Sequence, residues 1–498
     1  MNEAKSKTRA EWRAMAAALE LRTGCLIAGR FQPAVSGATF PSINPADGRV
    51  LAEVAAGDQA DIDQAVAAAR RTFEAGVWRD MPPAGRKKRL LRLAELLDAR
   101  RAELALLDAL DMGKPIHDAL TIDAPAAARC FAWYGEAIDK VNGEITPTPA
   151  DEIGMISREP VGVVGAIVPW NFPLLMAAWK IAPALATGNS VVLKPSEKSP
   201  LSALRLGELA LEAGIPEGVF NVVPGFGHTA GEALALHADV DCIAFTGSTA
   251  VGKKMLEYAG RSNMKRVWLE CGGKSPNLVL ADCADLDAAA EAAAWGIFFN
   301  QGEMCSAASR LLAAREIKEP LLEKIVALGQ TLRPADPLDP ETRLGAIVDR
   351  IQFDKVLGYI EKGRAEGAEL RLGGAPAGDE GFFVEPTVFD GVTPAMTIAR
   401  EEIFGPVLSV LTFDDAADAV ALANRTDYGL AAAVWTRDIS KAHRIARALR
   451  AGTVWINCYD AGDLTVPFGG YKQSGNGRDK SLHALDKYVE LKTTWIKL

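Results

Sequence analysis

The sequence predicts an α/β protein of two or three domains, one of them built on a doubly wound parallel sheet. Three observations support this class. A chain of 498 residues is too long for a single hydrophobic core. Short apolar runs alternate with helical segments from Val161 to Cys271, and the alternation resumes after Gly273. The content of 49% apolar and 24% charged residues is typical of a globular protein.

The N-terminal part, about residues 60–112, has the pattern of helices. The run from Asp61 to Val66 opens one of them, because carboxylates favour the positive end of a helix. Leucines recur at helical spacing between Lys87 and Leu110. We interpret these helices as structural.

The middle of the chain predicts five strands that alternate with four helices. The predicted strands are 163–168, 190–193, 219–223, 242–245 and 267–270. The predicted helices are 173–186, 201–213, a short one near Ala230, and 252–259. Strands that helices connect in this way run parallel, and ligands bind at the carboxyl ends of such strands.

A second α/β domain is predicted for residues 273–480. Residues 278–280 form its first predicted strand, and Asp285 is the expected cap of an alanine-rich helix that runs to Phe299. Residues 488–496 have the pattern of a terminal strand, which we expect to pair outside its own domain.

Charge and cysteine content exclude several classes of protein. The net charge of −9 argues against a nucleic-acid-binding protein, which would carry a basic face. The seven cysteines are scattered, without the spacing of a zinc site or a disulfide framework. The N-terminus lacks a signal-peptide core, and no run of 18 apolar residues predicts a membrane span. We therefore expect a cytoplasmic protein without a bound metal.

A thiol and a carboxylate lie in segments suited to catalysis. Cys305 lies in a loop opened by Gly302, and Glu270 ends a strand beside Gly272. A cysteine nucleophile and a carboxylate base can form and then hydrolyse a thioester. The alternatives are that Cys305 is a small buried hydrophobe and that Glu270 is a solvated strand end. None of the five histidines lies in a motif that would make it the base for a cysteine.

Asn171 follows the first predicted strand of the middle unit. Its side-chain amide can donate to a developing oxyanion, a contact typically worth about 2.7–4 kcal/mol. Alternatively, Asn171 caps the helix that begins at Pro173.

Glycine-rich turns predict a dinucleotide site. Gly247, Ser248 and Gly252 lie at a strand-to-helix turn, where backbone N–H groups attract a pyrophosphate, although the glycine spacing departs from the usual fingerprint. Gly227 and Gly231 would let the backbone approach the adenine side of the ligand.

A polar loop predicts the choice of cofactor. Lys194 and Glu197 follow a strand end, where a lysine and a glutamate can bond the ribose hydroxyls. Because the glutamate disfavours a 2′-phosphate, NAD is favoured and NADP remains open. An ordinary solvated loop is the alternative.

These motifs together resemble the aldehyde dehydrogenase superfamily over about nine-tenths of the chain. The resemblance is carried by PWNFP (169–173), KPSE (194–197), FTGS (245–248), LECGGKSPN (269–277), NQGEMC (300–305), EEIFGPV (401–407) and PFGGYKQSG (467–475). Residues 462–498 are most similar to bacterial γ-glutamyl-γ-aminobutyraldehyde and 4-guanidinobutyraldehyde dehydrogenases.

The resemblance implies three parts and an oligomer. Residues 1–142 and 161–272 would form a Rossmann-type NAD-binding domain, and residues 273–480 a catalytic domain. Residues 143–160 and 481–498 would form a small strand arm that mediates a homodimer or homotetramer.

The resemblance also implies the reaction, which is NAD(P)-dependent oxidation of an aldehyde to a carboxylic acid through a cysteine thioester. Cys305 matches the nucleophile, Glu270 the base and Asn171 the oxyanion donor. The implied cofactor residues are Ile167, Trp170, Lys194, Glu197, Ser248, Gln352, Glu402 and Phe404. The implied substrate-tunnel residues are Phe172, Met176, Trp179, Met304, Ser306, Gly462 and Phe468.

The expected substrates are amino-, guanidino- or γ-glutamylamino-aldehydes. The small Gly462 would leave room for a long substrate, and carboxylates of Asp460, Asp463 and Asp111 could pair with a cationic group near the tunnel mouth. Alternatively, these aspartates only shape a solvated loop. A broad-specificity aldehyde dehydrogenase, a CoA-acylating dehydrogenase and a silent structural protein are the competing functions. Cys271 departs from the family, which has leucine beside the base.

Overall fold

The computed structural model describes residues 7–498. The helices in this range are α1 (Arg9–Ala17), α2 (Gln59–Glu74), α3 (Pro83–Ala99), α4 (Arg101–Met112), α5 (Ile116–Asp118), α6 (Ala124–Ala137), α7 (Pro173–Ala186), α8 (Leu201–Glu212), α9 (Glu232–Leu236), α10 (Thr249–Arg261), α11 (Leu286–Phe298), α12 (Lys318–Thr331), α13 (Arg350–Ala365), α14 (Thr397–Arg400), α15 (Ala416–Asn424) and α16 (Ile439–Ala448). Short 3-10 helices lie at Ile138–Lys140, Phe299–Gly302, Lys472–Ser474 and Leu482–Tyr488, and π-helical turns at Ala119–Asp123 and Gly227–Gly231.

The strands in the same range are β1 (Cys25–Ile27), β2 (Arg30–Gln32), β3 (Thr39–Ile43), β4 (Val50–Ala55), β5 (Glu144–Thr146), β6 (Glu152–Pro160), β7 (Val163–Ile167), β8 (Ser190–Lys194), β9 (Phe220–Val222), β10 (Cys242–Gly247), β11 (Arg266–Cys271), β12 (Pro276–Val279), β13 (Arg310–Ala314), β14 (Glu369–Leu372), β15 (Thr387–Asp390), β16 (Val407–Phe413), β17 (Ala431–Trp435), β18 (Thr453–Ile456) and β19 (Val489–Lys497).

The first sheet has seven strands in the order β11-β10-β7-β8-β9-β1-β2. Its five predicted strands all form and run parallel. The hairpin of β1 and β2, which the sequence did not predict, extends the sheet in the antiparallel sense beyond β9. Helices α3, α6, α7 and α8 pack into one apolar core and α2, α9 and α10 into another. The predicted doubly wound α/β sheet is therefore confirmed.

The strand order creates a switch point beside β7. The chain adds β8 and β9 on one side of β7 and then returns to add β10 and β11 on the other. Ile167, the last residue of β7, is in register with Lys194 of β8 and Phe245 of β10. Ligands of doubly wound sheets bind in the crevice at such a point, outside the carboxyl ends of the strands.

The second sheet has seven strands in the order β14-β15-β16-β13-β12-β17-β18, and all of them except β14 run parallel. Its strands come from the region predicted as the second domain. Asp285 caps α11 as predicted, because its side chain accepts a hydrogen bond from the N–H of Ala288 at 2.9 Å.

A third sheet joins distant parts of the chain in the order β19-β6-β5. The C-terminal strand β19 pairs with β6 from Val489 opposite Pro160 to Lys497 opposite Glu152. It therefore pairs outside the second sheet. Among residues 7–498, no helix is long and apolar enough to cross a membrane.

Candidate active site

A cavity of about 400 Å³ lies where the carboxyl ends of the first sheet meet loops of the second. Both regions contribute walls, because residues following β7, β10 and β11 face residues that follow α11 and precede β16. The cavity brings together sixteen of the residues expected at the site: Trp170, Asn171, Phe172, Met176, Trp179, Gly247, Ser248, Met304, Cys305, Ser306, Gln352, Glu402, Phe404, Asp460, Gly462 and Phe468.

Cys305 is held by a tightly wound loop that follows α11. Asn300, Gln301 and Gly302 have φ angles of 50°, 56° and 70°, a left-handed run that is costly for the two non-glycine residues. Side-chain hydrogen bonds hold the run in place: Asn300 donates to the carbonyl of Glu303 at 3.1 Å, and Gln301 to that of Ala346 at 3.3 Å. A loop that is fixed in this way can present a nucleophile accurately.

The surroundings of Cys305 disfavour the thiolate form. Burial, followed by the negative charges of Glu402, Glu270 and Asp460, raises the pKa of this thiol to about 12. The thiolate is the reactive form of a cysteine, so a base that accepts the thiol proton would activate Cys305 as a nucleophile.

Asn171 lines the cavity and is nearly fully buried. One of its amide protons is donated to the carbonyl of Glu303 at 2.8 Å, so the amide is fixed beside the Cys305 loop. A side-chain amide has two protons to donate, which leaves the second for an oxyanion. The alternative role as a helix cap fails, because Phe172 is the N-cap residue of α7 and no side chain caps that helix.

Glu270 is turned away from the cavity. Its Oε1 lies 2.7 Å from the point where a Cβ on Gly469 would lie and 3.0 Å from the corresponding point on Gly477. Neither carboxylate oxygen has a hydrogen-bond partner within residues 7–498. Burial, and then the charge of Asp479, raise the pKa of Glu270 well above the ordinary value. Glu270 therefore lies behind the cavity wall as a buried carboxyl group that no hydrogen bond holds.

A buried ion triad lies beside Glu270 and was not predicted. Asp479 accepts hydrogen bonds from the ammonium groups of both Lys180 and Lys487, and all three residues are almost completely buried. The two lysines lower the pKa of Glu270 and oppose the effect of its burial. Lys180 carries the only charge in the apolar helix α7. A single lysine in an apolar helix is the feature of the sequence that could have indicated a buried ion pair.

The first turn of α10 fits a pyrophosphate. Ser248 is the N-cap residue, and its Oγ accepts a hydrogen bond from the N–H of Val251 at 3.3 Å. The other N–H groups of this first turn have no partner inside the helix. Gly252 packs the helix onto β11, because a Cβ there would lie 2.8 Å from the Sγ of Cys271. Cys271 is thereby a buried packing residue that also touches the cavity.

The expected adenosine contacts lie along the same sheet edge, outside this cavity. Ile167 and Lys194 end neighbouring strands in register, and the Lys194 ammonium donates to Glu197 at 3.1 Å. Burial lowers the pKa of Lys194. Gly227 is exposed, and a Cβ there would meet no atom within 4 Å, so its backbone is open to a ligand; Gly231 is buried.

The opposite wall fits a second ribose and an aromatic ring. Glu402 accepts a hydrogen bond from the N–H of Gly273 at 2.8 Å, which leaves its other oxygen free to accept from a ribose hydroxyl. The ring centroids of Trp170 and Phe404 lie 5.2 Å apart, edge to face. Gln352 fixes this wall, because it donates to the carbonyl of Phe404 at 2.7 Å. These groups suit the nicotinamide half of NAD.

The three expected aspartates lie in different surroundings. Asp111 is completely buried and accepts a hydrogen bond from the N–H of Leu201 at 3.0 Å, so the expectation of a carboxylate at the tunnel mouth is wrong for this residue. Asp463 is exposed and lines an adjoining cavity instead of the main one. Asp460 lines the main cavity, and burial raises the pKa of its carboxyl to about 6.

Comparison with known proteins places this geometry in a family. The family model described as "Aldehyde dehydrogenase family" matches residues 31–494. The NADP/NAD-dependent aldehyde dehydrogenase PuuC of Escherichia coli (strain K12) is 54% identical over 489 residues, 98% of this chain and 98% of that protein.

Two solved structures are similar over almost their whole length. The P. syringae AldA indole-3-acetaldehyde dehydrogenase, in complex with NAD+ and IAA, is 60% identical with a TM-score of 0.98, covering 99% of this chain and 100% of that one. The gamma-glutamyl-gamma-aminobutyraldehyde dehydrogenase of Burkholderia cenocepacia J2315 is 61% identical with a TM-score of 0.97 and the same coverage. The expectation drawn from the motifs is therefore confirmed, and the chain belongs to the aldehyde dehydrogenase family.

Proposed function

We propose that this aldehyde dehydrogenase works through a thioester on Cys305, with Asn171 as the oxyanion donor and Glu270 as the base. One observation carries the proposal. Cys305, Asn171 and Glu402 line a single cavity at the carboxyl edge of a doubly wound sheet. A nucleophile, an amide donor and a ribose ligand thus meet at one place.

Each residue has a defined task in this reaction. The Sγ of Cys305 bonds to the aldehyde carbon as the thiol proton leaves to a base, and the carbonyl oxygen accepts from the Asn171 amide. NAD, when bound against Ser248, Glu402 and Phe404, would accept the hydride of the former aldehyde carbon. Glu270 then takes a proton from water, the water oxygen bonds to the acyl carbon, and the Cys305 sulfur leaves as the acid forms.

Water is the acyl acceptor in this proposal. A CoA-acylating enzyme needs no base for water, whereas Glu270 is buried at the strand end beside the nucleophile loop with a raised pKa. Quantifying free acid by mass spectrometry in the absence of CoA tests this assignment. Formation of NADH that requires CoA would contradict it.

The cofactor preference should rest on Glu197. We expect NAD to give a higher kcat/KM than NADP, because the Glu197 carboxylate, ion-paired to Lys194, would repel a 2′-phosphate bound at this loop. In Glu197→Gln the ratio of kcat/KM with NAD to kcat/KM with NADP should fall by roughly tenfold, because about one charge–charge contact is removed. Initial rates with both cofactors measure this change.

Glu212→Gln, an exposed substitution at the end of α8, is the matched control and should leave the preference unchanged. A higher kcat/KM with NADP in the unmodified enzyme would show that the Lys194–Glu197 loop is arranged differently when cofactor binds.

We propose amino-, guanidino- or γ-glutamylamino-aldehydes as substrates. The relative from B. cenocepacia is named for a γ-glutamylamino-aldehyde. In this chain, Asp460 adds a half-buried carboxylate to the cavity, and desolvation raises its pKa to about 6. The second candidate is an uncharged aromatic aldehyde, which the ring wall of Phe172, Trp179 and Phe468 favours.

A panel of aldehydes separates the two candidates. We expect kcat/KM for 3-aminopropanal and 4-guanidinobutyraldehyde to exceed that for butanal and indole-3-acetaldehyde. Asp460→Asn should reduce this advantage by roughly tenfold, as the loss of one charge-assisted contact does. Asp463→Asn should reduce it less, because Asp463 lies outside the main cavity.

An advantage for indole-3-acetaldehyde would support the second candidate. A charge preference that survives both substitutions would contradict recognition by these aspartates and leave the dehydrogenase assignment intact.

We also propose a cytosolic homodimer or homotetramer. All seven cysteines are free thiols, as a nucleophilic cysteine requires. The strand arm exposes apolar side chains, with Ile145 79%, Leu491 62% and Trp495 58% exposed, an arrangement that suits burial against another copy. Light scattering should give a multiple of the monomer mass, and a monomer would contradict the proposal.

A further inference from the structure

The cavity that contains Cys305 adjoins a second cavity of about 370 Å³. Leu175, Trp179, Gly462 and Lys480 line both. Because they share these walls, we infer that the two cavities serve as one path outward from Cys305, which we call the substrate path. The four shared residues line the junction of the two cavities, which we call the waist of the path.

Lys480 supplies the only cationic group at this waist. Its Nζ lies 5.6 Å from the ring centroid of Trp179 and 5.9 Å from that of Phe468. It also lies 3.3 Å from the point where a Cβ on Gly462 would lie. The room expected beside this glycine is thus partly filled by an ammonium group. Sequence analysis, which considered only aspartates here, did not predict it.

The Lys480 ammonium has no anionic partner at contact distance. No carboxylate between residues 7 and 498 lies within 4.0 Å of its Nζ, whereas the nearby Lys180 and Lys487 share Asp479. Burial lowers the pKa of Lys480, and the more distant Asp460 and Asp463 oppose this effect. A half-buried cation without an anionic partner would be stabilised by an anion that arrives with a ligand.

The backbone directs Lys480 into the path. Asp479 pairs with Phe468, each donating its N–H to the carbonyl of the other at 2.7 and 2.8 Å, and turns its side chain inward to the two lysines. Lys480 and Ser481 then have φ angles of 62° and 50°, strained values for residues with a side chain. Tyr134 fixes the turn, since its hydroxyl donates to the carbonyl of Ser481 at 3.1 Å.

The second cavity, which forms the outer part of the substrate path, is lined by charged side chains of both signs. Arg129 and Glu136 come from α6, where with Trp133 they share one helical face, and Asp463 faces them from the other side. A group that carries a carboxylate beside an ammonium would find a cation and an anion within the same space.

We propose that Lys480 is a specificity-determining residue that binds a carboxylate at the far end of the aldehyde substrate. Arg129 adds a second cation to this subsite, and Asp463 and Glu136 accept the ammonium of a substrate that ends in an α-amino acid group. The inference rests on the proposed function. It adds to the path a cationic site that binds an anion, whereas Asp460 would bind a cation.

The test compares aldehydes of equal length. The probes are 4-oxobutanoate, 5-oxopentanoate and 6-oxohexanoate, each against butanal, pentanal or hexanal. In Lys480→Met, the ratio of kcat/KM for the carboxylate aldehyde over its uncharged counterpart should fall roughly ten- to a hundredfold for the length that reaches the subsite. The change should lie in KM, because the contact is remote from the reacting carbon.

Matched variants exclude a general effect. Lys480→Arg keeps the charge and should retain most of the ratio. Lys88→Met removes an exposed lysine of α3 from a position outside both cavities and should leave the ratio unchanged. An unchanged ratio in Lys480→Met, at every length, would overturn the inference.

A measurement on the unmodified enzyme avoids any folding defect of the variants. Glutarate should inhibit hexanal oxidation at a concentration at least about tenfold lower than its uncharged analogue glutaramide. Equal inhibition by the two compounds would also overturn the inference. If the unmodified enzyme oxidised none of the aldehydes, the proposed function itself would fail, which is a different outcome from an unchanged ratio.

Discussion

Replacing Cys305 with alanine should abolish aldehyde oxidation. We expect kcat to fall by about four orders of magnitude or more, because the covalent route is lost and no other cavity thiol is presented by such a loop. Calorimetry should show that NAD still binds, since the side chains expected to bind its adenosine and nicotinamide ribose do not depend on this thiol. Initial rates of NADH formation measure the loss.

Cys271→Ala is the matched control. Cys271 is buried against Gly252 and belongs to an apolar core, so removal of its thiol should preserve most of the turnover. If Cys271→Ala were the inactive variant and Cys305→Ala remained active, the assignment of the nucleophile would be wrong.

Glu270→Gln should slow hydrolysis of the thioester by roughly two to four orders of magnitude, the usual contribution of a general base. Acylation should suffer less, although the carboxylate can also accept the Cys305 proton. Rapid mixing should therefore show a burst of NADH followed by a slow steady state. Glu291→Gln, on the exposed side of α11, should retain full turnover.

The pH dependence of this step has a definite sign. Glu270 is a base only when ionised, and burial raises its pKa. Steady-state turnover of the unmodified enzyme should consequently rise as the pH increases through that raised pKa. In Glu270→Gln this limb should disappear. Unchanged turnover and an unchanged pH profile would exclude Glu270 as the base.

Sequence patterns predicted the parallel strands well because buried strands are continuous apolar runs between turns. Helix α7 begins at Pro173 and ends at Ala186, as proline and glycine signals indicated. The hairpin of β1 and β2 has strands of only three residues, which is too short for an alternating hydrophobic pattern to be recognised. Its pairing with β9 depends on contacts distant in sequence.

Side-chain direction explains why part of the site could not be predicted. Asp479 and Lys480 are neighbours in the chain. The Asp479 side chain belongs to the buried ion triad, whereas the Lys480 side chain faces the substrate path. The positive φ at Lys480 turns the two side chains in different directions, and no sequence motif predicts a left-handed backbone conformation at a lysine. The expectation for Asp111 was wrong because this aspartate lies in the part of α4, residues 104–112, that is buried throughout, and not at the tunnel.

The surroundings of Glu270 are completed only at the end of protein synthesis, because the ion triad joins distant parts of the chain. Lys180 leaves the ribosome early, whereas its partner Asp479 follows 299 residues later. In the folded chain both residues are almost completely buried, and removing one partner of such a buried ion pair typically costs about 3–5 kcal/mol. We therefore expect a chain that stops upstream of Asp479 to be destabilised around α7 by a similar amount.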